Sequence, residues 1–139
     1  MAGARLATLA GVAWIVSAVL TALFALLQVV FADEAAAHGM DLRMLAGWNG
    51  LAAIASLAAG VSLVLRSPRG LLGPRRLLAL SAVWGCVTVT WNTYQMLNGA
   101  IHWAYLGATV AAFFALVLSV DARQRWTDTD SKSEGGRPG

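Results

Sequence analysis

Cysteine is nearly absent from this chain, because the only cysteine is Cys86, which lies in the middle of a long apolar run. A single cysteine excludes a disulfide within the chain and any CxxC metal-binding or redox motif. Charged residues are also scarce, at 12% of the 139 residues against 58% hydrophobic residues. A composition so poor in charge excludes an ordinary soluble fold and indicates a membrane protein.

Four apolar runs without any Asp, Glu, Lys or Arg occupy most of the chain, at about residues 6–32, 44–65, 77–97 and 101–120. Each is long enough for the roughly 20 residues that cross a hydrocarbon core of about 30 Å. Unpaired backbone groups are costly in lipid, so such runs should be helices. Barrel strands would be shorter and would alternate in polarity. We therefore predict an all-α fold, a four-transmembrane-helix antiparallel bundle over residues 1–126.

The basic residues are distributed unevenly between the gaps that separate the four runs. Nine of the ten lie before the first run, between the second and third runs, or after the fourth, and only Arg43 lies elsewhere. Basic residues of short loops stay cytoplasmic, so both termini and the middle loop are predicted to face the cytoplasm, with the protein in the plasma membrane. The polar tail, residues 127–139, is predicted to be disordered.

Two other interpretations of the basic N-terminus and the high pI are less favoured. A cleaved signal peptide would have an apolar core of about 7–15 residues, and the first run is roughly twice that length, so we predict a retained helix. The pI of about 9.8 invites a nucleic-acid partner. However, the basic residues form no dense patch with interleaved aromatics, so no nucleic-acid binding is predicted.

With this orientation, most polar and aromatic residues of the runs fall in the half nearer the outer surface. Helical spacing groups the polar residues of each run on one face, and polar faces avoid lipid, so we expect them to turn inward. We also predict that Trp91, Gln95 and Asn49 face one another. The four faces consist of Trp14, Ser17, Thr21 and Gln28; Asn49, Ala53, Ser56 and Gly60; Trp84, Thr88, Trp91, Gln95 and Asn98; and His102, Tyr105 and Thr109.

These faces predict a pocket in the outer leaflet that holds a lipid, a quinone or another apolar molecule. The residues predicted to bind the ligand are Gln28, Trp48, Asn49, Thr88, Trp91, Asn92, Tyr94, Gln95, Asn98 and Tyr105. A simpler alternative assigns the amides and hydroxyls to hydrogen bonding between helices and the small residues, such as Gly47, Gly50 and Gly60, to close packing. In that interpretation the aromatic residues form an interfacial belt.

Outside the C-terminal tail and its junction with the fourth run, the groups able to perform acid–base chemistry all lie at the predicted outer rim. If the protein is an enzyme acting on an apolar substrate, such as an isomerase, a cyclase or an epoxide-opening protein, the catalytic residues would be His102, Asp33 and Asp41. No carboxylate lies within a run, which counts against an ion-coupled transporter. Two histidines make a poor haem or zinc site, so no metal is predicted and the cofactor stays unknown.

Three classes of function stay open: a small binding or accessory bundle, a membrane-embedded enzyme and a transporter subunit. The size, the four spans, the short loops and the internal termini resemble the small four-helix integral membrane families grouped as DoxX-like. The resemblance is one of architecture without a shared motif, so it implies no functional residue. Nine arginines against one lysine resemble the usage of high-GC bacteria. The expected partners are the lipid bilayer, an apolar small molecule, and further copies or a larger membrane complex.

Overall fold

A computed structural model describes residues 2–33, 41–66, 73–98 and 103–136. Within these ranges the chain is all-α, as predicted, with four helices that each cover most of one apolar run. They are α1 (Ala2–Val30), α2 (Leu42–Val64), α3 (Pro74–Leu97) and α4 (Trp103–Gly135). Helices α1, α2 and α4 are long and apolar enough to cross a membrane. Helix α3 is less apolar, because it begins with Arg75 and Arg76 and carries more polar residues in its second half.

The ends of α2 and α3 are defined by local chemistry. Asp41 is the N-cap of α2, and its carboxylate accepts a hydrogen bond from the backbone N–H of Met44 at 3.2 Å. Such a cap satisfies one of the backbone donors left free at the start of a helix. Helix α3 begins at Pro74, after an extended Gly73. A proline in the first turn costs no hydrogen bond, because that N–H has no partner within the helix.

Helix α1 organises the bundle, because it packs extensively against both α2 and α4, whereas α3 packs mainly on α4 and meets α2 only briefly. Gln28 near the end of α1 pairs with Asn49 near the start of α2. At the opposite end, the Arg66 guanidinium donates to the carbonyl oxygen of Ala4 at 2.7 Å. These contacts place α2 alongside α1 over nearly its whole length.

Small residues set the closest helix contacts. Gly11 of α1 meets Gly60 of α2, and Gly85 of α3 lies against Leu116 of α4. Gly47 and Gly50 behave differently, because a Cβ built on either one meets no atom within 4 Å. Of the glycines predicted to pack closely in α2, only Gly60 therefore does so.

Helix α4 continues to Gly135, through residues for which the sequence predicted disorder. At about 1.5 Å per residue, its 33 residues extend roughly 50 Å, which exceeds a hydrocarbon core of about 30 Å. Two ion pairs accompany the extension, Arg125 to Asp121 at 3.1 Å within α4 and Arg75 of α3 to Asp130 at 3.2 Å. The prediction of disorder relied on composition, because a polar segment buries little apolar surface. The segment is nevertheless helical, and local polar pairs support the helix.

Candidate functional site

The inward faces predicted for α1 and α2 are confirmed. Trp14, Ser17, Thr21 and Gln28 are all buried on α1. On α2 the buried residues include each of the four that were predicted, Asn49, Ala53, Ser56 and Gly60. On α4, Tyr105 and Thr109 are buried as expected, while His102 lies outside the described residues.

The inward face predicted for α3 is wrong by about one residue. Its buried residues are Leu78, Ser81, Gly85, Thr88 and Asn92. Trp91 is 41% exposed and Gln95 is half-buried, so Trp91 does not face Asn49 in the interior. The physical reason is space, because a Cβ on Gly85 would already lie 2.8 Å from the Cβ of Leu116. Small side chains fit between α3 and α4 at this separation, and the indoles of Trp84 and Trp91 point away from α4.

Two buried side-chain pairs join neighbouring helices in the half of the bundle where the sequence placed the pocket. The amide of Asn49 donates to the Oε1 of Gln28 at 2.8 Å, which links α1 and α2. The amide of Asn92 donates to the hydroxyl of Thr109 at 3.1 Å, which links α3 and α4. Three of the residues predicted to bind a ligand therefore have structural partners of their own, which agrees with the simpler packing interpretation.

A chain of hydrogen bonds crosses the other half of the bundle. The indole Nε1–H of Trp14 donates to the hydroxyl of Ser81 at 2.7 Å, and the hydroxyls of Ser81 and Ser119 lie 2.7 Å apart. Ser119 in turn donates to the carbonyl oxygen of Ala115 at 2.6 Å. Because Ser119 uses its hydrogen on that carbonyl, Ser81 is the donor to Ser119. The chain thus joins α1, α3 and α4 with every donor satisfied.

Sequence reasoning missed this chain because it placed the polar interior in the outer half only. A signal was available on α4, where Ala108, Ala112, Ala115 and Ser119 recur at steps of four, three and four and are all buried. A small-residue face of this kind predicts close packing in lipid. A further bond, from the Nε1–H of Trp84 to the hydroxyl of Ser56 at 3.0 Å, links α2 and α3.

Two buried hydroxyls have no hydrogen-bond partner within the described ranges, the Oγ1 of Thr88 and the OH of Tyr105. The Tyr105 ring is fully buried, and its centroid lies 4.5 Å from that of Phe24 on α1. Buried polar groups usually have a hydrogen-bond partner, so each of these two interior hydroxyls can still form a hydrogen bond.

Of the remaining residues predicted to bind a ligand, Gln95 is half-buried and the other four lie on the surface. Trp48 and Tyr94 are each 57% exposed, and Asn98 is exposed at the end of α3. The rings of Trp91 and Tyr94 lie 6.0 Å apart on the outward side of α3. This arrangement is typical of an interfacial aromatic belt. The ten residues are therefore divided between the interior and the surface, and their role in binding stays a prediction.

Both described carboxylates of the predicted catalytic set have other partners. Asp33 is highly exposed and pairs with Arg43 at 2.7 Å, and Asp41 caps α2. His102, the third member, and His38 lie outside the described residues. Over the described ranges, no group of three or more His, Cys, Asp or Glu residues is placed to hold a metal ion.

An apolar groove runs between α2 and α3, on the side of the bundle where these two helices separate. It has a volume of about 400 Å³ and opens laterally. Trp84, one of its lining residues, donates to the buried Ser56 of α2, and Ser62 and Ser81 supply the hydroxyls of the groove. The lining residues are Ala55, Ala58, Ala59, Ser62, Leu63, Leu77, Leu80, Ser81, Val83, Trp84 and Val87. A second, shallower depression of about 650 Å³ adjoins it on α3 alone, at Cys86, Val87, Thr90, Trp91 and Tyr94.

Positive charge gathers at one end of the groove. We call this end of the bundle the basic end; it comprises Arg5, Arg66, Arg75, Arg76, Arg123 and Arg125. Contacts of Arg66 with Ala4 and of Arg75 with Thr127 hold it together. At the other end, Arg43 is neutralised by Asp33.

The comparisons of this chain with protein-family models, with curated proteins and with solved structures found no match.

Proposed function

We propose that this chain is a four-span integral protein of the plasma membrane, with its helices antiparallel and its basic end in the cytoplasm. Three helices able to span a membrane and the pairing of opposite helix ends, Gln28 with Asn49 and Ala4 with Arg66, support this arrangement. Helix α3 would complete the bundle, because its outward residues Leu80 and Val83 are apolar and exposed, which suits contact with lipid. The cytoplasmic basic end follows from the distribution of basic residues.

Within the membrane, the protein acts as a small binding bundle that holds an elongated apolar molecule in the groove between α2 and α3. The groove carries this proposal, because it is the place where two neighbouring helices separate. Its volume of about 400 Å³ lies within the roughly 300–1,000 Å³ of small-molecule sites, which are mostly apolar with a few polar groups. Its lateral opening gives an apolar molecule access from the bilayer.

Binding is favoured over catalysis by the partners of the ionisable groups. Asp33 is paired with Arg43, and the carboxylate of Asp41 accepts the N-cap bond of α2. The buried amides of Gln28, Asn49 and Asn92 are likewise engaged between helices. The groove itself is lined by hydroxyl and apolar side chains, which can position a molecule and hold it away from lipid.

A photoactivatable phosphatidylcholine, with a diazirine in the middle of one acyl chain, tests the groove. The protein is reconstituted with this lipid in nanodiscs, irradiated and digested, and the labelled peptides are quantified by mass spectrometry. We expect labelling of residues 55–63 and 77–87 to exceed labelling of the exposed apolar face of α1. Uniform labelling of all lipid-facing helices would contradict the proposal.

A groove-filling variant sharpens this test. Ala58→Phe places a ring in the groove, where Ala58 is an exposed lining residue, and should lower the groove labelling severalfold. Ala22→Phe is the matched control, because Ala22 is exposed on α1 and is not a lining residue of the groove. Circular dichroism checks that both variants keep their helices. Equal labelling in the two variants would remove the groove as the binding site.

The orientation has its own test in intact cells. In a Cys86→Ser background, Asn98→Cys and Ser131→Cys place single thiols at opposite ends of the bundle. A membrane-impermeant maleimide should label Asn98→Cys in whole cells and Ser131→Cys only after lysis. The reverse pattern would place the basic end outside the cell.

A further inference from the structure

We infer that the occupant of the groove is an anionic phospholipid from the leaflet at the basic end, with one acyl chain in the groove and its phosphate against Arg76. This inference rests on the proposed binding function and names its ligand. It follows from how the groove is placed relative to the unpaired charges of the basic end.

The α3 wall of the groove leads directly to Arg76. Arg76, Leu80, Val83 and Val87 follow at steps of four, three and four, which is the spacing of one helix face. The last three line the groove, and Arg76, which is exposed, lies one turn before Leu80 on the same face. Its guanidinium has no carboxylate partner among the described side chains, whereas the adjacent Arg75 is paired with Asp130.

The α2 wall ends in a second arginine. Arg66 follows the lining residues Ser62 and Leu63, and its guanidinium donates to the carbonyl oxygens of Leu63 and Ala4 and to the hydroxyl of Thr8. All three acceptors are neutral, so the positive charge of Arg66 is fixed in place without being compensated. Two of the three acceptors lie on α1, so Arg66 adds positive charge to this end of the bundle from its place against α1. The exposed guanidinium of Arg76 is the group that can bind phosphate oxygens at the groove.

The length of the groove selects a lipid chain over a helix. Its lining on α3 extends from Leu77 to Val87, which at about 1.5 Å per residue is roughly 15 Å. That is half of a hydrocarbon core of about 30 Å, so the groove matches the depth of one leaflet. A transmembrane helix would need the full thickness, whereas a single acyl chain anchored at Arg76 ends near Val87.

The test compares two photoactivatable lipids that differ only in the headgroup, phosphatidylglycerol and phosphatidylcholine, at equal mole fraction in nanodiscs. With the native chain, we expect phosphatidylglycerol to label residues 55–63 and 77–87 about fivefold more, as one basic residue near an anionic headgroup would give. Arg76→Gln should bring this ratio close to one. Arg123→Gln is the matched control, because Arg123 is also exposed at the basic end but on α4, and it should keep the preference.

The possible failures are distinguishable from one another. Equal labelling of the groove by both lipids would overturn the headgroup inference and leave the groove as an apolar binding site. An equal loss of preference in Arg76→Gln and Arg123→Gln would also overturn it, because the effect would then be one of general surface charge. Absence of groove labelling by either lipid would overturn the proposed function itself. Protein–protein crosslinks through the groove in place of lipid would assign it to a second copy of the chain.

Discussion

Gly11 and Gly60 bring the backbones of α1 and α2 into direct contact. A Cβ on Gly11 would lie 2.8 Å from the carbonyl oxygen of Gly60, and a Cβ on Gly60 would lie 2.7 Å from the carbonyl oxygen of Gly11. Helix association in lipid depends on close van der Waals contact rather than on expulsion of water. This reciprocal contact is therefore a main reason that α2 stays on α1 while the groove beside it stays open.

Replacement of Gly60 by alanine should destabilise the bundle by about 1–3 kcal/mol, because the added methyl group meets the Gly11 backbone and overpacks the crossing. The matched control is Gly50→Ala on the same helix, where a Cβ meets nothing within 4 Å. That substitution should be neutral or stabilising by up to about 1 kcal/mol, because alanine is the better helix former. Unfolding by sodium dodecyl sulfate in mixed micelles, followed by tryptophan fluorescence, measures both. Equal destabilisation of the two variants would contradict the close crossing.

The chain from Trp14 through Ser81 to Ser119 predicts an order of stabilities. Ser81→Ala leaves the buried indole N–H of Trp14 without its acceptor, at a cost of about 1–3 kcal/mol. Ser119→Ala should cost less, because Ser81 keeps its contact with Trp14 and can redirect its own hydrogen. Ser62→Ala, at an exposed position, should stay within about 0.5 kcal/mol. The same unfolding assay measures the three variants, and an equal cost for Ser62→Ala and Ser81→Ala would be inconsistent with the chain.

A double-mutant cycle tests the link between Gln28 and Asn49. Because the two amides share a buried hydrogen bond of 2.8 Å, Gln28→Leu and Asn49→Leu should each destabilise the bundle, and the double variant should lose less than their sum. Polar pairs between membrane helices couple by about 0.6 kcal/mol on average and up to roughly 1.7. Additive effects of the two substitutions would mean that the pair contributes nothing between the helices.

Much of the fold follows from the sequence, because apolar run length and helical spacing dominate in lipid. The inward residues of α1 and α2, such as Ser17 and Ser56, were predictable, because polar side chains on an otherwise apolar helix avoid lipid and face the interior of the bundle. The face of α3 was not predictable in the same way. Trp91 and Asn92 are adjacent, and only the close contact of Gly85 with Leu116 decides which of them turns inward.

The groove could not be predicted from the sequence, for a related reason. Its lining residues, such as Ala58 and Leu80, do not differ in kind from the exposed apolar residues elsewhere on the helices. What makes a groove is the separation of α2 from α3, and that separation results from the packing of each on a different neighbour, α2 on α1 and α3 on α4. Pairwise packing of this kind is a property of the assembled bundle and leaves no local pattern.

The last turns of α4 should be the least stable helical segment of the bundle. Residues 127–135 are exposed, so their helix depends on hydrogen bonds such as that from Thr127 to the carbonyl of Arg123 and on the ion pair of Arg75 with Asp130. Exposed pairs are weak and are screened by salt. We expect amide hydrogen exchange in 127–135 to be much faster than in 104–122 and to rise further at about 1 M salt, where the screening length is about 3 Å. Asp130→Asn should reproduce that rise at low salt. The control is Asp128→Asn, because Asp128 lies on the same tail but forms no salt bridge among the described residues. Slow exchange throughout the segment, insensitive to salt and to Asp130→Asn, would mean that the tail is held by contacts other than this pair.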